Sequence, residues 1–318
     1  MLSPSCITNN FTTENPKQVK KKTEKGNSFT FLLFTFYFSR SMSLCLCGAF
    51  LFFTSPVLAQ RVAVFTPEQT PQTQKYASLL ADSLSNKFKI LEDSMSWAAF
   101  RSVRLESPFN LTTSQGKAIG EVVGCDFFLL MRSGTIRRSS FEKDEFYESF
   151  VTVFLVNGRS GRLMYWDLKS FEADSQVESE RLLFASSGSF AVEIIEQLEI
   201  ARQYGLNVVN SPAFEEVPKA GSTDAKNFRP PMPYKRIKPE YTRKAYLYDV
   251  RATVDVIVDI DQNGAIAAVA IERWAGFGLD ESVIAAVRKM NWRPATRNGK
   301  TLPMRVLLRY NFTKIEKE

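Results

Sequence analysis

No histidine occurs anywhere in the 318 residues. That one absence removes Ser-His and Cys-His nucleophile pairs and His-ligated zinc together. The side chains left to do chemistry are few. Glu142, Asp144, Glu145 and Glu148 form an acidic cluster ahead of a strand; their spacing fits no calcium loop and reads as a solvated loop. Gly116-Lys117 invites a phosphate-loop reading, but Leu111 stands where the first glycine belongs and Ala118 where Ser or Thr belongs. Cys125, set between Gly124 and Asp126 in an apolar run, reads as a small buried side chain. No catalytic residue, metal ligand or cofactor is expected, and carboxylate-only catalysis is the one enzymatic route left open.

A different capacity belongs to the main chain at the edge of a sheet. Met304, Val306, Leu308, Tyr310 and Phe312 alternate along the last strand, with Arg305, Arg309 and Asn311 on its other face and Leu307 among them. Such a strand resists uncontrolled pairing through its charges, yet its free N–H and C=O groups can accept a chosen extended peptide.

Composition narrows the class. Apolar residues make up 44% and charged residues 24%, the balance of a folded globular chain rather than a disordered or fibrous one. The net charge of +7 is unevenly spread. Residues 1–59 hold six basic against two acidic side chains, residues 60–232 nineteen against twenty-two, and residues 233–318 sixteen against ten. The basic excess sits in a leader and one small domain without a run of stacking aromatics, so nucleic acid is not expected as a partner. Cys6, Cys45 and Cys47 lie within the first 59 residues, which leaves Cys125 alone beyond them and no internal disulfide there.

Residues 1–59 read as a leader. Two apolar stretches, Phe29–Phe38 and Leu44–Phe53, are separated by Arg40, and each falls short of the ~20 residues a membrane-spanning helix needs. Val57-Leu58-Ala59 ahead of Gln60 is an acceptable cleavage site. Export to the periplasm with cleavage near Ala59 is the expectation. The alternative is a retained inner-membrane anchor, the membrane then being touched through the leader alone. Met42 is a second candidate start.

Residues 60–205 alternate helical and strand patterns. Arg61–Phe65 is a strand, Gln72–Phe88 an amphipathic helix with Tyr76, Leu80 and Leu84 on one side, and Lys89–Leu91 a strand. Helices follow at Met95–Val103 and Ser114–Val123, then a buried strand at Asp126–Met131. Two long strands, Phe146–Val156 and Leu163–Phe171, are joined by the turn residues Asn157–Gly161. Ser189–Tyr204 closes the unit as a helix. The order predicts an α/β domain with one mixed sheet.

Residues 206–232 lack apolar periodicity and carry Pro212, Pro218, Pro230 and Pro231, the signature of an extended linker reaching at most ~90 Å. Beyond it, Val250–Ile260 alternates, Asp261–Gly264 turns, and Ile266–Arg273 returns. Leu279, Val283, Ile284, Val287 and Met290 make one helical stripe, with Asp280 and Glu281 in the first turn and Arg288 and Lys289 in the last, as the helix dipole favours. Residues 233–318 are thus predicted to be a small α+β domain, β-β-α-β, with one helix covering a three-stranded sheet.

These residues resemble the TonB C-terminal domain family. Pro239-Glu240-Tyr241 with Ala245 is similar to the family's opening P-x-Y-P-x-x-A, and Val254–Val256 through Asp261-Gln262-Asn263-Gly264 to its first strand and turn. Leu279-Asp280, Ala285–Arg288, Trp292–Ala295 and Asn298–Lys300 follow in the family's order. Thr242 departs from the family's proline and Ala252 from its glycine. More diffusely, residues 60–205 resemble the periplasmic domain of the CsgG, FlgO and TolB N-terminal group, through the early AVF strand, Ala81–Leu84, Ile119-Gly120, Gly124–Phe127 and the Leu155–Leu163 hairpin.

The first resemblance implies a TonB-family cell-envelope protein that supports transmembrane transport. It would bind an extended peptide of an outer-membrane TonB-dependent receptor, or of another periplasmic protein, by strand addition. The implied partner-binding residues are Tyr241 and Met304, Arg305, Val306, Leu307, Leu308, Arg309, Tyr310, Asn311 and Phe312. The second implies an envelope-assembly or secretion accessory, with the small domain as its docking module and self-association as a further expectation. A TonB-type energy transducer has one uncleaved membrane helix and a long proline-rich spacer, where this chain has a folded domain and a short linker.

Overall fold

A computed structural model describes residues 60–204, 214–219, 221–222 and 225–314. The leader, residues 1–59, lies outside the described residues, as do 206–213, 220 and 223–224 of the expected linker. Among the described residues no helix is long and apolar enough to cross a membrane.

The first half runs β1 (Arg61–Phe65), α1 (Pro71–Leu84), β2 (Lys89–Ile90), α2 (Asp93–Ser102), α3 (Thr113–Val123), β3 (Phe127–Arg138), β4 (Phe146–Asn157), β5 (Leu163–Ala173), α4 (Gln176–Ala185) and α5 (Ser187–Tyr204). Helix α1 starts where Thr70 accepts from the Thr73 amide and Pro71 supplies a pre-set φ. A reciprocal cap of Thr112 and Gln115 starts α3, and Gly124, at φ 72°, ends it. The five strands form one mixed sheet in the order β2-β1-β3-β4-β5; β1 runs parallel to β2 and β3, while β3, β4 and β5 are antiparallel.

Both faces of this sheet are covered. Val62, Phe127, Leu129 and Val153 pack under Tyr76, Leu80 and Leu84 of α1 and Phe190, Ile194 and Leu198 of α5. The opposite face presents Phe65, Phe128, Leu130, Phe154 and Val156 to Phe100 of α2 and Ile119 of α3. Coverage on both sides explains why β4 is buried at almost every position, with Phe150–Val156 apolar except at Thr152, rather than alternating.

Three two-residue strands lie between the halves: β6 (Glu215–Glu216), β7 (Phe228–Arg229) and β8 (Met232–Pro233). The second half continues with α6 (Arg243–Leu247), β9 (Ala252–Ile260), β10 (Ile266–Arg273), α7 (Leu279–Arg288), β11 (Trp292–Arg293), β12 (Ala295–Arg297), β13 (Lys300–Leu302) and β14 (Met304–Phe312). Its main sheet has the order β10-β9-β14-β6. Where three strands are expected there are four, because the connecting segment adds β6 beside β14. The same segment pairs through β7 with β12 and through β8 with β11. Val254, Val256, Val258 and Ile260 pack under Leu279, Val283 and Val287 of α7.

That core is continuous with the second face of the first sheet. Trp274 and Phe277, from the loop between β10 and α7, reach Phe154 with ring centroids at 5.6 and 6.0 Å, and Phe277 stacks on Trp166 at 5.5 Å. Gly276 lets the loop approach so closely. Its φ is 69°, and a Cβ there would lie 2.6 Å from the Phe154 ring.

Candidate functional site

The sequence points to β14, and β9 positions it. The two strands pair antiparallel along their whole length, from Met304 opposite Ile260 to Phe312 opposite Ala252. On its other side β14 pairs with β6, parallel, at Met304 and Arg305. Among the described residues, Val306–Phe312 have no strand partner on that side. Met304, Val306 and Phe312 are buried, Leu308 and Tyr310 half-buried, and Leu307, Arg309 and Asn311 exposed.

The two arginines of β14 are engaged. Arg305 donates from Nε and Nη2 to both carboxylate oxygens of Asp259 at 2.7 and 2.8 Å. Arg309 does the same with Asp255 at 2.7 and 2.9 Å, and Arg273 adds a bond to Asp255 at 3.2 Å. Each is a two-pronged pair of the kind that fixes a guanidinium in one geometry. The Arg309 and Arg273 guanidiniums hold the Asp255 carboxyl below the usual carboxylate range, against the opposing effect of burial. Asn311 likewise accepts from Thr253 across the ladder at 2.9 Å. The outward face of the strand is thus a tied polar layer around exposed Leu307.

Tyr241 lies beside the strand as expected, with its ring stacked on Phe312 at 6.2 Å. Its hydroxyl donates to the carbonyls of Val250, at 2.8 Å, and Ala245, at 3.2 Å, so it locks the turn that carries α6. Thr242, where the family has proline, accepts from the Ala245 amide and donates to the Phe277 carbonyl at 2.6 Å. It therefore ties α6 to the loop that enters the first sheet. Free positive charge comes from a segment that sequence reasoning did not single out. Lys235, Arg236, Lys238 and Arg243 are exposed and form no ion pair among the described residues. Four basic residues within nine positions were the available signal.

The secondary candidates resolve into packing. Gly116 lies on α3 where a Cβ would come within 2.7 Å of the Gly161 carbonyl oxygen, so it serves a close approach of backbones. Burial pushes the Cys125 thiol up to about 12, far from a reactive thiolate. Glu145 bonds Arg137 and Tyr147 at the surface. Glu148 departs from the solvated-loop reading, because it is buried between Arg138 and the Tyr248 hydroxyl, which donates to it at 2.5 Å. A cleft of about 480 Å³ lies elsewhere, between Arg162–Trp166 of the first sheet and Val269–Ile271, Trp274 and Asp280. Burial pushes the Asp280 carboxyl up to about 7 against the pull of the Ala275 and Gly276 amides. Those amides occupy both carboxylate oxygens at 2.8 to 3.2 Å, which gives Asp280 a loop-holding role.

A family model described as the Gram-negative bacterial TonB protein C-terminal matches residues 237–313. No curated protein matches the chain. Among solved structures, the solution structure of the Pseudomonas aeruginosa TonB C-terminal domain is 23% identical; the match covers 31% of this chain and 94% of that one, with a TM-score of 0.24. A lipoprotein from Neisseria meningitidis is 13% identical over 44% of this chain and 98% of its own, with a TM-score of 0.29. The C-terminal domain of LpoB from Salmonella enterica is 15% identical over 36% and 85%, with a TM-score of 0.25. The family match spans Tyr241, α6, β9, β10, α7 and β14, and residues 237–313 are a TonB C-terminal domain.

Proposed function

We propose that this chain is a non-catalytic docking protein of the bacterial cell envelope. Its TonB C-terminal domain binds an extended peptide of an outer-membrane receptor, or of another periplasmic protein, by strand addition along β14, and so supports transport. One observation carries the reading: in a TonB C-terminal domain, the outer side of Val306–Phe312 has no strand partner among the described residues. Main-chain hydrogen bonds would supply much of the affinity, and the free charges of Lys235, Arg236, Lys238 and Arg243 favour an acidic peptide. Export past the leader, with the folded part in the periplasm, completes the proposal.

The continuous core between the two halves favours a second form of the same idea. In it the α/β half is the working part of an envelope-assembly accessory, and the TonB domain is its rigidly mounted docking face.

Proline scanning tests the reading. Successive amides of β14 point alternately toward β9 and toward the open side, so Leu307→Pro and Leu308→Pro remove one donor of each kind. The variant that keeps its fold by circular dichroism should lose at least ten-fold in affinity for acidic receptor-derived peptides. Unchanged binding by a folded variant of both kinds would sink strand addition.

A further inference from the structure

We propose that Phe214–Val217 is a resident strand guarding the docking edge of β14, one that a partner pairing along the full length must displace. The proposal rests on the strand-addition reading above and concerns the regulation of that same edge.

The segment occupies the place a partner would take. Glu215 pairs parallel with Met304 and Glu216 with Arg305. Arg297 reaches Glu215 at 3.0 Å, and the negative charge of Glu216 adds to that of Asp259 around the Arg305 guanidinium. The chemistry of the segment, two carboxylates set between Phe214 and Val217, is also that of the acidic peptide proposed above for this edge.

What holds it is weak. The ladder is two residues long, both glutamates are exposed, Val217 is exposed and Phe214 only half-buried. An ion pair as solvent-accessible as Arg297–Glu215 adds little, and a free tetrapeptide would not stay bound on such terms. Covalent connection makes up the difference. The chain runs nine residues back to α5 and ten forward to β7, which is itself paired to β12. Short tethers of this kind hold a segment at an effective concentration in the millimolar range. A strand that is always present, weakly held and of the partner's chemistry is a competitor. A partner using only Val306–Phe312 docks beside it, whereas one that extends to Met304 meets it.

The test compares the full chain with a Glu215→Pro/Glu216→Pro variant, which cannot offer these two amides to the ladder and alters no buried side chain. Two quantities are measured: amide exchange at Met304 and Arg305, and binding of a labelled synthetic peptide with the sequence of Ser211–Lys219. The expected result is at least ten-fold faster exchange at the amide facing β6 and at least ten-fold tighter peptide binding in the variant. A Glu215→Lys/Glu216→Lys variant, which keeps the amides, should show a smaller gain in both. Equal exchange in the two proteins overturns the guard and leaves strand addition standing. Faster exchange with equal peptide affinity also overturns the guard, since the segment then competes with nothing. Faster exchange with no peptide binding to either protein overturns strand addition along with it.

Discussion

The two sides of the second sheet invite comparison, because β10 and β14, the long strands flanking β9, are of similar length and only one is walled in along its length. At β10 the first half of the chain closes the side. Thr112 bridges Arg273, the Trp274 amide donates to the Leu111 carbonyl at 3.1 Å, and Thr113 donates to Glu272 at 2.6 Å. Asn110 ties the Trp274 carbonyl at 2.7 Å and both backbone groups of Thr253. The middle of β10 faces the cleft lined by β5. At β14, among the described residues, the two residues of β6 alone pair on the outer side. What makes a sheet edge structural or available is therefore what packs beside it, and charge on the strand itself, here spent on Asp255 and Asp259, is a smaller part.

The comparison breaks most visibly at the walled side. Trp274→Ala removes a buried indole that both halves of the chain touch, and a cost of about 3–5 kcal/mol is expected in urea unfolding, with peptide affinity of the folded fraction unchanged. Asn110→Ala leaves the buried carbonyl of Trp274 and the part-buried backbone groups of Thr253 without partners, for a loss of about 1–3 kcal/mol in the same assay. At the open side the effects are gentler. Asp255 is depressed in the folded state, so its contribution is present above the unfolded value of about 3.9 and disappears as pH falls through the lower folded value. Asp255→Asn should flatten that part of the acid-unfolding profile while leaving the neutral range parallel to the parent. Smallest of all, Lys235→Glu/Lys238→Glu should slow association with an acidic peptide several-fold and weaken its salt dependence, with little change in dissociation.

Much of the frame is legible in the residues. Strands β9 and β14 and helix α7 declare themselves by period alone, and the structure places them at Ala252–Ile260, Met304–Phe312 and Leu279–Arg288. The arginine pairs were also within reach. Asp255 and Asp259 are four apart, as are Arg305 and Arg309, so one antiparallel register satisfies both pairs, but that register was not known beforehand. Other features leave no local trace. Strands β6, β7 and β8 are two residues each, too short to alternate, and sit in a proline-bearing stretch. Helix α4 buries only Ser179 and Leu183 and so shows no stripe. Trp274–Gly278 reads as an ordinary loop, because its purpose lies in Phe154 and Trp166, more than a hundred residues earlier.

The most direct measurement is residue-resolved NMR of the isotopically labelled protein as an acidic receptor-derived peptide is added. Shifts and new amide protection confined to Val306–Phe312 are predicted, with Val269–Ile271 and Arg162–Trp166 unmoved. Protection that builds instead at the cleft between β5 and β10, with β14 silent, would contradict the account.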